Sequence, residues 1–209
     1  MSVELWHCKS ARSLRPLWTL EELAVPYTLH VLEFPPRVTT PDYLAINPLG
    51  TVPYLRDGTV EMTESIAISQ YLATRYGAGA LLLSSEHPEY GAFLNWLHHA
   101  DATLTFPQAL ILRYSRFEPE ARRQPQVVED YTRWFLARLR LLNARVAEHD
   151  YLCDDRFTLA DIAVGYALYL GEKLGLSGQY AAQTQAYLAR LEDRPAFRRA
   201  DAQGGGGTF

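Results

Sequence analysis

Apolar and polar positions follow two different periods along this chain. Val3 to Cys8 (V-E-L-W-H-C) alternates and predicts a short strand. The polar run Lys9-Ser10-Ala11-Arg12-Ser13 breaks that alternation. Leu14, Leu17, Leu20 and Leu23 then recur at helical spacing. Pro16 falls in the first turn of this helix, where a missing N–H costs nothing. Ala24-Val25-Pro26 ends the helix, and Tyr27 to Leu32 reads as a second strand. Glu33 to Thr40, with Pro35, Pro36 and Arg37, reads as an exposed loop, and Pro41 to Ile46 as one or two helical turns. Val52 to Arg56 and Thr59 to Met62 are two apolar runs joined by Asp57-Gly58, a strong hairpin signal. A helix from Thr63 to Tyr76 turns Ile66, Ile68, Tyr71 and Leu72 inward. The order βαβ-αββα predicts an α/β unit on a mixed four-stranded sheet: a parallel pair from the crossover and antiparallel strands from the hairpin.

The pattern changes after Gly77. Residues 77–88 hold two glycines, a Leu81-Leu82-Leu83 run, two serines and a proline, the composition of an interdomain linker. Everything beyond is helical in period. The predicted division is an α/β domain over residues 1–78, a linker over 79–88 and an all-α bundle over 89–209. Its helices run from Glu89 to about Phe117 with a kink at Pro107, from Val127 to His149, from Thr158 to about Leu174, and from Gln183 to Glu192 before Pro195. The third is nearly all apolar and reads as the buried centre of the bundle. Its start carries Thr158 at the N-cap, Asp161 three residues on, and Phe157 placed to pack on Ile162: a capping box with a hydrophobic staple. Gly204 to Gly207 reads as a flexible tail.

Composition narrows the function classes. The chain has 209 residues, 48% hydrophobic and 21% charged, an ordinary globular balance. A net charge of −4 argues against a nucleic-acid partner drawn by phosphate attraction. No apolar run reaches membrane-spanning length, so no membrane partner is expected. Met1 leads straight into a strand pattern, so no secretory signal is visible. The two cysteines, Cys8 and Cys153, have neither metal nor redox spacing, which suits a reducing, cytoplasmic compartment. His98 and His99 are adjacent on a helix and point about 100° apart, a poor chelate, so no metal is expected.

The candidate chemistry centres on Asn47 to Ser65. Pro53 stands at the mouth of a strand, where it cannot donate to the ladder. One reading is an ordinary hairpin that begins with a proline. The other is a cis Val52-Pro53 bond that leaves the amide and carbonyl of Val52 open to a peptide-like ligand pairing as an extra strand. Ser65 opens a helix, where a hydroxyl and free amides suit a carboxylate, and Glu64 beside it suits an ammonium. Backbone pairing, an anion site and a cation site together outline a small zwitterionic peptide.

Four runs carry a resemblance across almost the whole chain: Gly50-Thr51-Val52-Pro53-Tyr54-Leu55, Glu64-Ser65-Ile66-Ala67-Ile68, Leu20-Glu21-Glu22-Leu23, and the capping segment Phe157 to Ile162. In this order and spacing they resemble the cytosolic glutathione S-transferases. The resemblance implies a thioredoxin-like N-terminal domain, an all-helical C-terminal domain and a homodimer. It also implies that Pro53 is cis, that Val52 pairs with the cysteinyl part of glutathione, and that Glu64 and Ser65 hold its γ-glutamyl end. The expected activity is conjugation of the glutathione thiolate, as co-substrate, to a small hydrophobic electrophile. The alternatives are glutathione-dependent disulfide or peroxide reduction at the same site, or a non-catalytic interaction module.

Such chemistry needs a thiolate near neutral pH, from a thiol whose ordinary pKa is roughly 8.5. Ser10 falls where serine-type bacterial and fungal members keep the hydroxyl that serves the sulfur, and is the first choice. Ser13 is the second, with a helix cap as its ordinary role. Cys8 is the nucleophile for the reductase alternative, although an inward strand position raises a thiol's pKa. Arg12 can add positive potential near the thiolate. Related members often read Asn-Ser-Arg-Ser here, where this chain has Ser10-Ala11-Arg12-Ser13, and no tyrosine lies in or just after the first strand. Thr51 stands where many members have lysine, leaving Arg37 to meet the glycyl carboxylate. Phe106, Leu110 and Tyr114, four apart on one helix face, are candidates for the acceptor site, with Trp96, Tyr166 and Tyr169 as candidate companions.

Overall fold

The computed structural model describes residues 3–203, in two compact units. The first runs to Leu82 and takes in the chain again from Glu192. Its elements are β1 (Val3–His7), α1 (Leu14–Leu23), β2 (Tyr27–Val31), the single turn α2 (Pro36–Thr39), a 3-10 turn (Pro41–Ala45), β3 (Tyr54–Asp57), β4 (Val60–Met62) and α3 (Ser65–Tyr76). The sheet order is β2-β1-β3-β4, with β1 and β2 parallel and the other pairs antiparallel. This is the mixed four-stranded, thioredoxin-like arrangement that the βαβ-αββα order predicts.

Strand alternation divides the core. Leu5 stands opposite both Leu29 and Leu55 in the register. Leu5 and Leu55 are fully buried, as are Leu14, Leu17 and Leu20 of α1 and Ile68 and Leu72 of α3. Trp6, of opposite parity to Leu5 in β1, and Cys8, just after the strand, join a second cluster with Ala11, Tyr43, Val52 and Tyr54. Both sheet faces are therefore covered.

The segment after Glu192 forms α9 (Pro195–Ala202), which packs on α1. Phe197 meets Trp18 edge-on at 4.9 Å. Arg194 grips the Glu22 carboxylate at 2.6 and 2.8 Å, and Arg199 reaches Glu21 at 2.6 Å. Pro195, read from sequence as a stop, instead opens this helix at a position where its missing N–H is harmless. The structure thus groups residues 192–203 with the α/β unit, whereas the sequence division places all of 89–209 in the bundle. The glycine run at 204–207 lies outside the described residues. Other differences are small. Val52 and Pro53 precede β3, α3 begins at Ser65, and part of the loop after β2 is the turn α2.

The second unit, residues 83–191, is helical: α4 (Tyr90–His98), α5 (Phe106–Leu112), α6 (Pro125–Val146), α7 (Leu159–Lys173) and α8 (Ala182–Glu192, its last residue at the unit boundary). The expected break near Pro107 takes the form of wide π turns over His99–Thr105 and Arg113–Phe117, which flank α5. Helix α7 is buried from Leu159 to Gly171. Its capping box is formed. Asp161 accepts from the Thr158 amide at 2.8 Å, the Leu152 amide at 3.0 Å and the Tyr187 hydroxyl at 2.8 Å. One carboxylate therefore starts the central helix and ties it to α8. A Cβ on Gly171 would lie 1.9 Å from the Tyr180 hydroxyl, which bonds the Leu168 carbonyl at 2.9 Å. Phe157 lies edge-on to Tyr151 at 6.0 Å.

Candidate active site

The loop from Asn47 to Pro53 is built from within. Buried Asn47 donates to the Thr51 carbonyl at 2.8 Å and accepts the Leu49 amide at 3.1 Å. The Tyr43 hydroxyl donates to the same Thr51 carbonyl at 2.8 Å. Gly50 has φ +58°, and a Cβ there would stand 2.7 Å from the Arg37 Cβ and 2.9 Å from Leu44. The Val52–Pro53 bond is cis, and so is Phe34–Pro35, which the sequence reading did not anticipate. The Val52 side chain is buried in the cluster with Cys8, Ala11 and Tyr54. Its backbone makes no hydrogen bond among the described residues. A buried side chain beneath an unpaired backbone is what strand-like pairing with an extended peptide requires.

Helix α3 begins after the β3–β4 hairpin that follows this loop. Glu64 is exposed, in extended conformation at φ −84° and ψ 117°, and makes no side-chain cap bond. Ser65, the first helical residue, is buried, and its Oγ accepts from Nη1 of Arg15 at 3.1 Å. Arg15 is fully buried on α1. The first-turn amides of α3 have no partner within the helix, so this end favours negative charge.

The β1–α1 connection supplies the third part. The amide of Ala11 donates to the Cys8 carbonyl at 3.1 Å, and Ser10 inside this turn adopts φ +58°, uncommon for serine. Ser10 is buried to 2% exposure. Ser13 is also buried and makes no cap bond to α1, contrary to its expected capping role. Its Oγ instead accepts the Cys8 amide at 3.2 Å and lies 2.9 Å from Nδ1 of His7 and 3.3 Å from the Cys8 carbonyl. Ser13 is thereby committed to closing the turn. Burial lowers the His7 pKa to about 4, against bonds to the backbone of Gln203 and Ser13 that act the other way, so the ring is neutral at neutral pH. Burial pushes the Cys8 thiol up to about 12, and Cys153 to about 12 for the same first reason. Both cysteines are free, buried, protonated thiols.

These parts are tied together. Cys8 and Ala11, on either side of Ser10, pack in one cluster with Val52, and Arg15 joins α1 to Ser65. Arg12 and Arg37 are both exposed, Arg37 with its Cβ beside Gly50. In the helical unit, Phe106 is 53% exposed and edge-on to Tyr131, while Leu110 and Tyr114 are half-buried. Trp96, Tyr166 and Tyr169 are buried within that unit. Arg15, Asn47, Tyr43 and His7 were not foreseen as site residues. An arginine within the apolar stripe of α1 was the visible sign for the first. Among the described residues, no group of three His, Cys, Asp or Glu side chains could hold a metal ion.

Residues 9–75 match the family model "Glutathione S-transferase, N-terminal domain", and residues 100–195 match "Glutathione S-transferase, C-terminal domain". The chain belongs to the glutathione S-transferase family. Among its relatives in that family is glutathione S-transferase GstB of Escherichia coli K12, 32% identical over 94% of this chain and 96% of the relative. Glutathione S-transferase 3 of Schizosaccharomyces pombe is 26% identical over 94% of this chain and 85% of its own length. Among solved transferases, one from Methylococcus capsulatus superposes with a TM-score of 0.84 at 26% identity, covering 95% of this chain and 97% of that one. A theta-class glutathione S-transferase from Xanthomonas axonopodis pv. citri, with glutathione bound, gives 0.77 at 27% identity, covering 97% and 98%. Ser10, Arg15, Val52, Pro53, Glu64 and Ser65 all lie within the transferase N-terminal match.

Proposed function

We propose that this transferase joins the thiolate of glutathione to an apolar electrophile, with the peptide held along Val52 and its γ-glutamyl end on Glu64 and Ser65. The unpaired backbone of Val52, together with an exposed carboxylate and a buried hydroxyl at the start of α3, carries this reading. The Val52 amide and carbonyl pair with the cysteinyl residue. Ser65 and the first turn of α3 take the α-carboxylate, and Glu64 takes the α-ammonium. Arg37, beside Gly50, meets the glycyl carboxylate. Arg12 adds positive potential near the sulfur.

Ser10 donates its hydroxyl hydrogen to the sulfur and stabilises the thiolate relative to the thiol. The thiolate forms a carbon–sulfur bond to the acceptor, and the leaving group departs with its electron pair. Positioning and thiol ionisation supply the acceleration. The burial of Cys8 and its raised pKa favour this chemistry over thiol–disulfide exchange through that residue. Phe106, Leu110 and Tyr114 are the proposed acceptor contacts. No metal enters the scheme. The buried, unpaired thiols suit a reducing cytoplasm.

Titration of bound glutathione by thiolate absorbance tests the central role. Ser10→Ala is expected to raise the bound thiol's pKa by about one unit and lower kcat/KM about tenfold or more at pH 7. An unchanged pKa would remove Ser10 from the mechanism.

The chain is further proposed to act as a homodimer. Trp134 and Leu141 are 48% and 49% exposed, and Tyr131 stacks on Trp134 with ring centroids 6.0 Å apart. This apolar face on α6 fits a second copy. Sedimentation at micromolar concentration should give a dimer that Trp134→Glu weakens; a monomeric wild type would refute it.

A further inference from the structure

We infer that Arg15 positions the ligand's α-carboxylate by holding Ser65 as a hydrogen-bond donor, an inference that rests on the proposed glutathione site. A guanidinium has five N–H donors and no acceptor. In the 3.1 Å contact between Arg15 Nη1 and Ser65 Oγ, the serine oxygen must therefore accept. A hydroxyl has a single hydrogen. With an oxygen lone pair engaged by Arg15, that hydrogen is left to point at an external acceptor. Ser65 is the first residue of α3, so its hydroxyl and the free first-turn amides serve the same anion.

The geometry also favours a durable arrangement. Arg15 and Ser65 are separated by 50 residues and joined across two packed helices. Arg15 is fully buried, so its charge is poorly screened by water and its rotamer is restrained by its neighbours. Thr19 Oγ1 donates to the Arg15 carbonyl at 2.9 Å, and Ser69 Oγ donates to the Ser65 carbonyl at 2.9 Å. Both helix turns that carry the pair are thus buttressed one turn further on. A hydroxyl fixed in this way is already oriented before ligand arrives, which lowers the entropy lost on binding. Exposed Glu64, the preceding residue, leaves room for the ammonium of the same amino-acid head.

The test compares glutathione with 4-aminobutanoyl-cysteinylglycine, which lacks only the α-carboxylate, on wild type, Arg15→Met and Arg15→Lys, by calorimetry and steady-state kinetics. Arg15→Met is expected to weaken glutathione about tenfold, since loss of a charge-assisted contact is of that order. The analogue, already weak, should change less than about twofold, and the loss with glutathione should fall on KM and not on kcat. Arg15→Lys, which keeps a buried donor, should recover part of the affinity; it also serves as the readout if Arg15→Met fails to fold. Adding Ser65→Ala should remove most of the difference between the wild type and Arg15→Lys. Equal losses for glutathione and analogue, or no loss for either, would overturn the inference while leaving the site intact. Failure of the wild type to bind glutathione would overturn the site reading itself, and the inference with it.

Discussion

Oγ of Ser13 lies 2.9 Å from Nδ1 of His7, deep beneath the turn that carries Ser10. His7 closes β1, so the first strand and the candidate catalytic turn share one buried polar knot. A serine and a histidine six residues apart here serve architecture. The ring is held neutral, and protonating it would place an uncompensated charge in the core.

A pH dependence follows. The His7 pKa falls from 6.5 to about 4 on folding, so the unfolded chain binds more protons between those values. The resulting stability is fully present above pH 6.5 and is lost as pH falls towards 4. Its size is of order 3 kcal/mol at about 1.4 kcal/mol per pKa unit. Buried Asp161, whose pKa burial raises to about 6, acts in the opposite sense: the folded state gains stability as pH falls from 6 through 3.8. Total stability therefore blurs the two, and a difference measurement separates them. Urea unfolding of wild type and His7→Asn at about pH 7 and about pH 4.5 should show the wild type losing about 2 to 3 kcal/mol more than the variant. Parallel pH slopes would count against the buried neutral ring.

Gly50 is held at φ +58° between Arg37 and Leu44. Alanine there meets both a left-handed backbone and a 2.7 Å approach to the Arg37 Cβ. Since Asn47 and Tyr43 both hold the Thr51 carbonyl, the strain is delivered to the segment before Val52. Gly50→Ala should cost about 1 to 3 kcal/mol in stability and raise KM for glutathione several-fold. Unchanged KM with reduced stability would separate this loop from the ligand.

Asp161→Ala should act on folding alone. It leaves the amides of Thr158 and Leu152 and the Tyr187 hydroxyl without their acceptor inside the helical core. Two orphaned buried amides and a lost cap cost about 3 to 5 kcal/mol together. The unfolding midpoint should drop while the glutathione affinity of the folded fraction stays within about twofold. A selective loss of affinity at unchanged stability would contradict this role.

Much of the molecule is written in near-neighbour patterns. Alternation in Val3 to Cys8, the helical leucines from Leu14 to Leu23, Asp57-Gly58 between two strands and the Thr158–Asp161 pair all act over a few residues, and their elements form as read. Val52-Pro53 and Glu64-Ser65 could be singled out because each is a local oddity: a proline at a strand mouth, and charge with hydroxyl at a helix start. The contacts that join them could not. Arg15 meets Ser65 only because α1 and α3 pack with those two faces together, and an arginine in an amphipathic helix is otherwise usually solvated. Ser13 faced a free choice between capping α1 and closing the turn beneath Ser10; the burial of His7 and the Cys8 backbone settled it. Likewise α9 depends on Trp18, Glu21 and Glu22, more than 170 positions earlier. Local periodicity sets the elements, because backbone hydrogen bonds and side-chain spacing act within a turn or a strand pair. Only tertiary packing decides which buried polar groups meet, because those partners are distant in sequence and desolvation makes each depend on the other.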